Sequence, residues 1–159
     1  MSWDAPELCW QFLVGDDPPS DLPAAWASAT RAVTRDLDCR RHGRPISFDN
    51  VMWKIASDDG SVCVGFALAG DADIGAYQRC NSYRLETTAA QATVWLADDV
   101  QYELTGYEFV QWPIAGHRIL MPRIIDDQAT WVESETGAVI ALIGDLRQAG
   151  AARPTVSGR

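Results

Sequence analysis

Lysine is nearly missing from this chain and histidine is scarce: of 13 basic residues only Lys54 is a lysine, and there are 2 histidines. Against them stand 22 acidic residues, giving a net charge of −9. Phosphate contacts run on Lys and Arg, so nucleic-acid binding is not expected, and an anionic lipid surface would repel the chain. A basic protein partner is compatible, because complementary charge speeds encounter. The preference for arginine over lysine follows codon composition and points to a high-GC genome. Long apolar runs are missing too, and none approaches the roughly 20 residues that span a bilayer. Met1-Ser2-Trp3-Asp4 carries no basic stretch ahead of an apolar one, so no signal peptide is expected and the cytoplasm is the expected compartment.

The motifs of cofactor and covalent chemistry are also missing. Neither G-x-G-x-x-G nor a P-loop occurs, so no phosphate-cradling loop and no cofactor is expected. No G-x-S-x-G is present, and His42 and His117 are the two bases available to a Ser or Cys nucleophile. Cys9, Cys39, Cys63 and Cys80 form no C-x2-C pair and read as reduced, buried, small apolar residues. Cys39-x2-His42 together with Cys63 and Cys80 has a metal-like composition, but Arg40, Arg41 and His42 read more simply as cations at a helix C-terminus, and no metal is expected.

What is present is an ordinary globular composition, 47% apolar and 22% charged over 159 residues. That length favours one domain, expected over 1–147 with a flexible tail over 148–159. Asp4 and Glu7 read as a capping box, with Leu8, Cys9, Phe12 and Leu13 as the apolar stripe of a short helix ended by Gly15. Leu22, Trp26, Ala29, Val33 and Leu37 mark a second helix that starts near Asp21 and Pro23 and stops at Gly43. The period then changes to two. Val51, Trp53 and Ile55 lie on one face of a strand over 48–56. After the turn Asp58-Asp59-Gly60-Ser61, a return strand alternates Val62, Val64, Phe66 and Leu68 with smaller Cys63, Gly65, Ala67 and Ala69. The small face suggests a helix packed closely over it.

Residues 70–84 read as irregular. A third helix is expected from about Thr88 to Leu104, with Ala89, Ala92, Leu96, Val100 and Leu104 on one face and Gly106 ending it. Short strands follow over 107–112, 118–125, 129–133 and 138–143. The sum is an α+β fold of three helices and about six mostly antiparallel strands.

In the C-terminal third, Trp112-Pro113, Gly116-His117, Pro122-Arg123, Trp131 and the closing stretch from Gly137 to Leu146 carry a resemblance. Over about 105–146 the chain resembles uncharacterised proteins of high-GC bacteria that end in a zinc-ribbon-like β-meander. In those proteins Cys and His flank the first Trp-Pro and follow the later Trp. Here Ile114 and Ala115 follow Pro113, Val132-Glu133 follows Trp131, and only His117 is left as a possible ligand. One ligand does not hold zinc, so the resemblance implies a meander held by packing and no activity.

Four adjacent acid pairs stand out: Asp16-Asp17, Asp58-Asp59, Asp98-Asp99 and Asp126-Asp127. Three sit at turns, where Asp supports the local backbone. Asp98 and Asp99 lie on the third helix, with Glu103 one turn after Asp99. Trp95 and Tyr102 share that side, off the apolar stripe. Trp95, Asp98, Asp99, Tyr102 and Glu103 are therefore expected to form an exposed acidic-aromatic face, suited to a non-enzymatic protein-binding domain such as an inhibitor, immunity or accessory protein. The rival reading is a small-molecule enzyme or binding protein with a pocket between sheet and helices. It would use His117 or a desolvated carboxylate, with Tyr77, Tyr83 or Tyr107.

Overall fold

The computed structural model describes residues 7–151. The period-two segment builds its centre: β3 (Val51–Asp58) and β4 (Ser61–Leu68) form a hairpin in which Trp53 faces Phe66 and Ile55 faces Val64. Val51, Trp53, Ile55, Val64 and Phe66 are all buried. The turn between the strands places Asp59 and Gly60 at positive φ, as an Asp-Gly pair allows. Leu68, at the end of the alternation, is instead half out in solvent.

β1 (Leu8–Leu13) pairs with the outer side of β3, where the sequence suggested a helix. Its buried residues are Trp10 and Phe12, followed by Val14, a period of two; Leu8 and Leu13, counted on a helical stripe, are exposed. Pairing opposite Ile55 and Trp53 outweighs the local signal. Asp4 of the expected capping box lies outside the described residues.

β5 (Tyr77–Arg84) occupies the other edge, so the sheet runs β1-β3-β4-β5. It falls in the stretch read as irregular. The close approach over Gly65 comes from this strand and not from a helix, since a Cβ there would collide with the Tyr77 carbonyl.

α1 (Ala24–Asp36) packs against β3, with Trp53 Nε1 donating to Thr34 Oγ1 at 2.9 Å. It starts after Pro23 with no side-chain cap and ends at Asp36, well before Gly43, and the chain turns at Arg40, which takes a left-handed φ of 58°. Residues His42–Gly43 form β2, which pairs with β6 (Val110–Gln111). α2 (Ala89–Tyr107) is capped by Thr88, whose side chain accepts from the Gln91 N–H, and it runs through Gly106. Ala92, Leu96, Val100 and Leu104 of its apolar stripe are fully buried.

The C-terminal third is an antiparallel meander: β7 (Ile114–Ala115), β8 (Arg118–Ile125), β9 (Gln128–Glu133) and β10 (Val139–Leu142) lie in the order β10-β9-β8-β7. α3 (Leu146–Ala151) follows and takes in the start of the segment read as a tail. The fold is thus α+β, but with ten strands in three antiparallel sheets among the described residues rather than about six in one. The helix count agrees with expectation while the identities do not: the first expected helix is a strand, and α3 runs across the boundary at 148 where a tail is expected. No helix among the described residues is long and apolar enough to cross a membrane.

Asp36, at the end of α1, joins the two halves. It is fully buried, and its carboxylate accepts from Trp131 Nε1 at 2.8 Å and from the backbone N–H groups of Gly144 and Leu146 at 2.6 and 3.1 Å. Its own carbonyl accepts from Trp112 Nε1 at 2.8 Å. Gln101 of α2 holds the same region, donating to the carbonyls of Trp112 and Leu120. The two C-terminal tryptophans are therefore core residues, packed edge to face at 5.2 Å.

Cys63 and Cys80 are joined by a disulfide, which corrects the expectation of four reduced thiols and leaves Cys9 and Cys39 free. It also takes those two sulfurs out of the weighed Cys3His set. Disulfides persist in oxidising compartments and are rare in reducing ones, so this bond does not support the expected cytoplasmic location.

Asp36→Ala strands three buried donors, each worth about 1–3 kcal/mol when left unpaired, so chemical denaturation should show a loss of at least about 3 kcal/mol. A loss below about 1 kcal/mol would contradict the role given to Asp36. Phe66→Ala should cost about 3–5 kcal/mol, as for a buried phenylalanine in a close-packed core; a near-neutral result would mean that the hairpin is not central.

Candidate functional site

β5 reads Tyr77, Gln78, Arg79, Cys80, Asn81, Ser82, Tyr83, Arg84. Its alternate residues Tyr77, Arg79, Asn81 and Tyr83 are large and polar, and all four reach one carboxylate on α2. Asp99 Oδ1 accepts from the Tyr77 hydroxyl at 2.9 Å and from Arg79 Nη1 at 3.1 Å. Asp99 Oδ2 accepts from the Tyr83 hydroxyl at 2.9 Å and, more distantly, from Asn81 Nδ2 at 3.5 Å. One helical turn on, Glu103 accepts from Arg79 Nη2 at 2.8 Å. The Arg79 guanidinium lies between two rings, 4.9 Å from the Tyr77 centroid and 4.7 Å from that of Tyr102.

The face expected to be exposed as a whole is therefore divided. Asp99 and Glu103 are buried, at 2% and 6% exposure, and this corrects their placement on the surface. Trp95 is half-buried, stacked on Tyr83 at 5.3 Å and on Trp26 at 6.3 Å. Asp98 and Tyr102 are exposed as expected. His117 is exposed at the turn between β7 and β8, on another element, and does not join this group. The division follows from helical geometry: positions 99 and 103 lie between the apolar stripe and the solvent side, and β5 closes over them. The polar inward face of β5 is the signal that sequence reasoning missed. Its alternation is one of size and polarity, not of apolar against polar.

Burial pushes the Asp99 carboxyl above its ordinary value of 3.8, and the hydrogen bonds from Tyr77 and Tyr83 and the nearby Arg79 charge draw it part of the way back. Burial, then the adjoining Asp99 charge, holds Tyr77 well above the ordinary phenol value. Burial raises Tyr83 too, against a lowering contact from Asn81. Both phenols consequently stay protonated and act as donors.

An ionised carboxylate offers about four acceptor positions, and Asp99 uses four. No buried side-chain polar atom among the described residues lacks a partner. A carboxylate so occupied has no lone pair free to take a proton from a substrate, so the arrangement is a clamp between β5 and α2 rather than a poised base.

The clamp forms the floor of a recess of about 470 Å³ lined by Arg79, Asn81, Tyr83, Asp98, Asp99, Tyr102 and Tyr107. Its rim is aromatic: Tyr102 and Tyr107 are 58% and 59% exposed with ring centroids 6.0 Å apart. Two residues further, Phe109 is 78% exposed and sits at φ 60°. A left-handed backbone is costly for a residue with a bulky side chain. Its neighbours hold it there. Glu108 N–H donates back to the carbonyls of Glu103 and Leu104, Arg44 pairs with the Glu108 carboxylate at 2.8 Å, and β2 bridges to Val110. Gly43, at φ 122°, passes so close to the Phe109 carbonyl that a Cβ would lie 2.6 Å from it.

The raised Asp99 pKa fixes the sign of a pH effect. Between the ordinary carboxylate value and the higher folded one, the folded state binds more protons than the unfolded chain. The contribution of this group is then full below the ordinary value and is lost as pH rises through the folded one. The stability of wild type relative to Asp99→Asn should therefore fall as pH is raised from about 4 to about 7. Paired denaturation curves measure it, and a relative rise over that range would contradict the assignment.

Comparison with protein-family models, with characterised proteins and with solved structures finds no match for this chain, so the site is interpreted from its own geometry.

Proposed function

We propose that this chain is a non-enzymatic protein-binding domain that docks a basic partner through the aromatic rim at the C-terminal end of α2. The observation that carries the reading is Phe109, an aromatic side chain largely in water on a left-handed backbone held in place by Gly43, Arg44 and Glu108. Folding gains nothing from such exposure, and backbone strain of about 1–3 kcal/mol persists only where surrounding structure enforces it. Tyr102 and Tyr107 extend the apolar area, and Tyr and Phe are the residues that interfaces concentrate at their centres.

Charge selects the partner. The recess beside the rim is lined by the exposed Asp98 and by Asp99 against one cation, Arg79, whose guanidinium also holds the buried Glu103 behind it. Arg44, the cation next to Phe109, is spent on Glu108. With a net charge of −9 behind it, the surface favours a partner segment bearing Lys or Arg that reaches toward Asp98. The C-terminal third resembles zinc-ribbon-like meanders whose metal ligands this chain lacks, and that resemblance implies no activity of its own. A small-molecule enzyme built on a desolvated carboxylate would need that group free in the recess, and the saturation of Asp99 weighs against that reading.

A photo-crosslinking residue introduced at Tyr107, in cells of the source organism, tests the proposal. The expected result is one discrete protein adduct that maps to a basic segment. It should vanish with Phe109→Asp or at high salt and be absent when the crosslinker sits at Arg31. An adduct insensitive to Phe109→Asp, or no protein adduct at all, would overturn the proposal. Phe109→Gly relieves the left-handed strain, so it should leave stability unchanged or raise it by up to about 1 kcal/mol while removing the adduct.

A further inference from the structure

The disulfide lies in the strand that builds the clamp. In the β4–β5 ladder Val62 faces Tyr83 and Val64 faces Arg79, so the single residue Cys63 stands opposite Cys80, Asn81 and Ser82. Ser82 takes a left-handed φ of 63°, as expected where a strand bulges. Regular pairing lapses over these residues, and among the described residues β5 is an edge strand that pairs with β4 alone. The Cys63–Cys80 bond therefore crosses from β4 to β5 where the backbone ladder does not. Arg79, Asn81 and Tyr83, three of the four β5 residues on Asp99, lie within three positions of Cys80. Cys80 is an exposed residue on the edge strand of the sheet.

We propose that the Cys63–Cys80 disulfide is a redox latch on this recess: oxidised, it holds the β5 bulge so that Arg79, Asn81 and Tyr83 clamp Asp99; reduced, it releases the bulge and opens the clamp. The reductant is a dithiol of the thioredoxin class. One of its thiolates attacks the Cys80 sulfur and forms a mixed disulfide, and Cys63 leaves as a thiolate that takes up a proton. The second thiol of the reductant then attacks the mixed disulfide and expels the Cys80 thiolate, which is protonated in turn. Two electrons pass to the chain, which ends with two thiols, while the reductant ends as a disulfide. Release of Arg79 leaves Asp99 and Glu103 without their cation, so the reduced recess is more anionic. The inference deepens the docking reading, because the latch acts on the same surface, but its structural readout needs no partner.

Hydrogen exchange read by mass spectrometry on the whole chain, before and after incubation with a thioredoxin-class dithiol under native conditions, tests the latch. Alkylation should count two thiols before, Cys9 and Cys39, and four after, with Cys63 and Cys80 added. Amides of 77–84 should then exchange at least about tenfold faster, while those of β8 and β9 keep their protection. Cys63→Ser/Cys80→Ser should show the fast pattern from the start and ignore the reductant. Four thiols before reduction, a disulfide that resists the dithiol in the folded chain, or unchanged exchange over 77–84 would each overturn the latch. So would loss of protection throughout the molecule, which marks a staple for the whole fold. If exchange changes as expected but the Tyr107 crosslink yields no partner, the latch stands and the docking reading falls.

Discussion

A carboxylate taken out of water must find donors for its lone pairs inside the protein, or its burial costs several kcal/mol. Two aspartates impose that constraint here, one from each long helix. Asp36 on α1 meets it with Trp131 and the N–H groups of Gly144 and Leu146, and so attaches the meander and α3 to the first helix. Asp99 on α2 meets it with Tyr77, Tyr83, Arg79 and Asn81, and so attaches the edge strand β5. The apolar core supplies most of the driving force, but it is non-directional. The two carboxylates specify which strand lies against which helix, because a shifted register would leave an unpaired charge inside.

The surface proposed for function grows out of the second of these junctions. Once β5 is clamped over Asp99 and Glu103, Arg79 is held between the rings of Tyr77 and Tyr102. Tyr102 and Tyr107 then have no inward position left and stand at the rim. The chain leaves α2 through Glu108, whose carboxylate is held by Arg44 and the N–H of Gly75, and this turn projects Phe109. The aromatic ridge is thus preorganised, which reduces the ordering cost of association. The disulfide crosses the same strand where its ladder lapses, so the oxidation state of Cys63 and Cys80 and the form of the ridge are mechanically linked.

Much of the fold was legible in the sequence. The alternation through Trp53, Ile55, Val64 and Phe66 reads as a buried hairpin because packing on one face forces a period of two, and the α2 stripe reads as a helix for the corresponding reason. Leu8, Cys9, Phe12 and Leu13 mislead because a short apolar run fits either period, and only pairing with β3 selects the strand. β5 was hidden for a different reason. Its inward residues are polar, so they carry no hydrophobic signal, and their partners Asp99 and Glu103 look like a solvated helix face. The aromatic-acidic composition of residues 95–103 could be seen, but which members turn inward depends on a strand that pattern alone does not reveal. Phe109 gave no signal, since its exposure and its left-handed backbone arise from contacts with Gly43 and Arg44, distant in sequence.

Asp99 is a buried carboxylate saturated by four donors, and the junction of β5 with α2 rests on it. The most direct measurement is a carbon-13 NMR titration of its side-chain carboxyl, together with detection of the Tyr77 and Tyr83 hydroxyl protons. The expected result is a midpoint above the ordinary 3.8 and two slowly exchanging hydroxyl protons that disappear from the spectrum in Asp99→Ala. A midpoint at or below the ordinary value, with hydroxyl protons in free exchange with water, would contradict it.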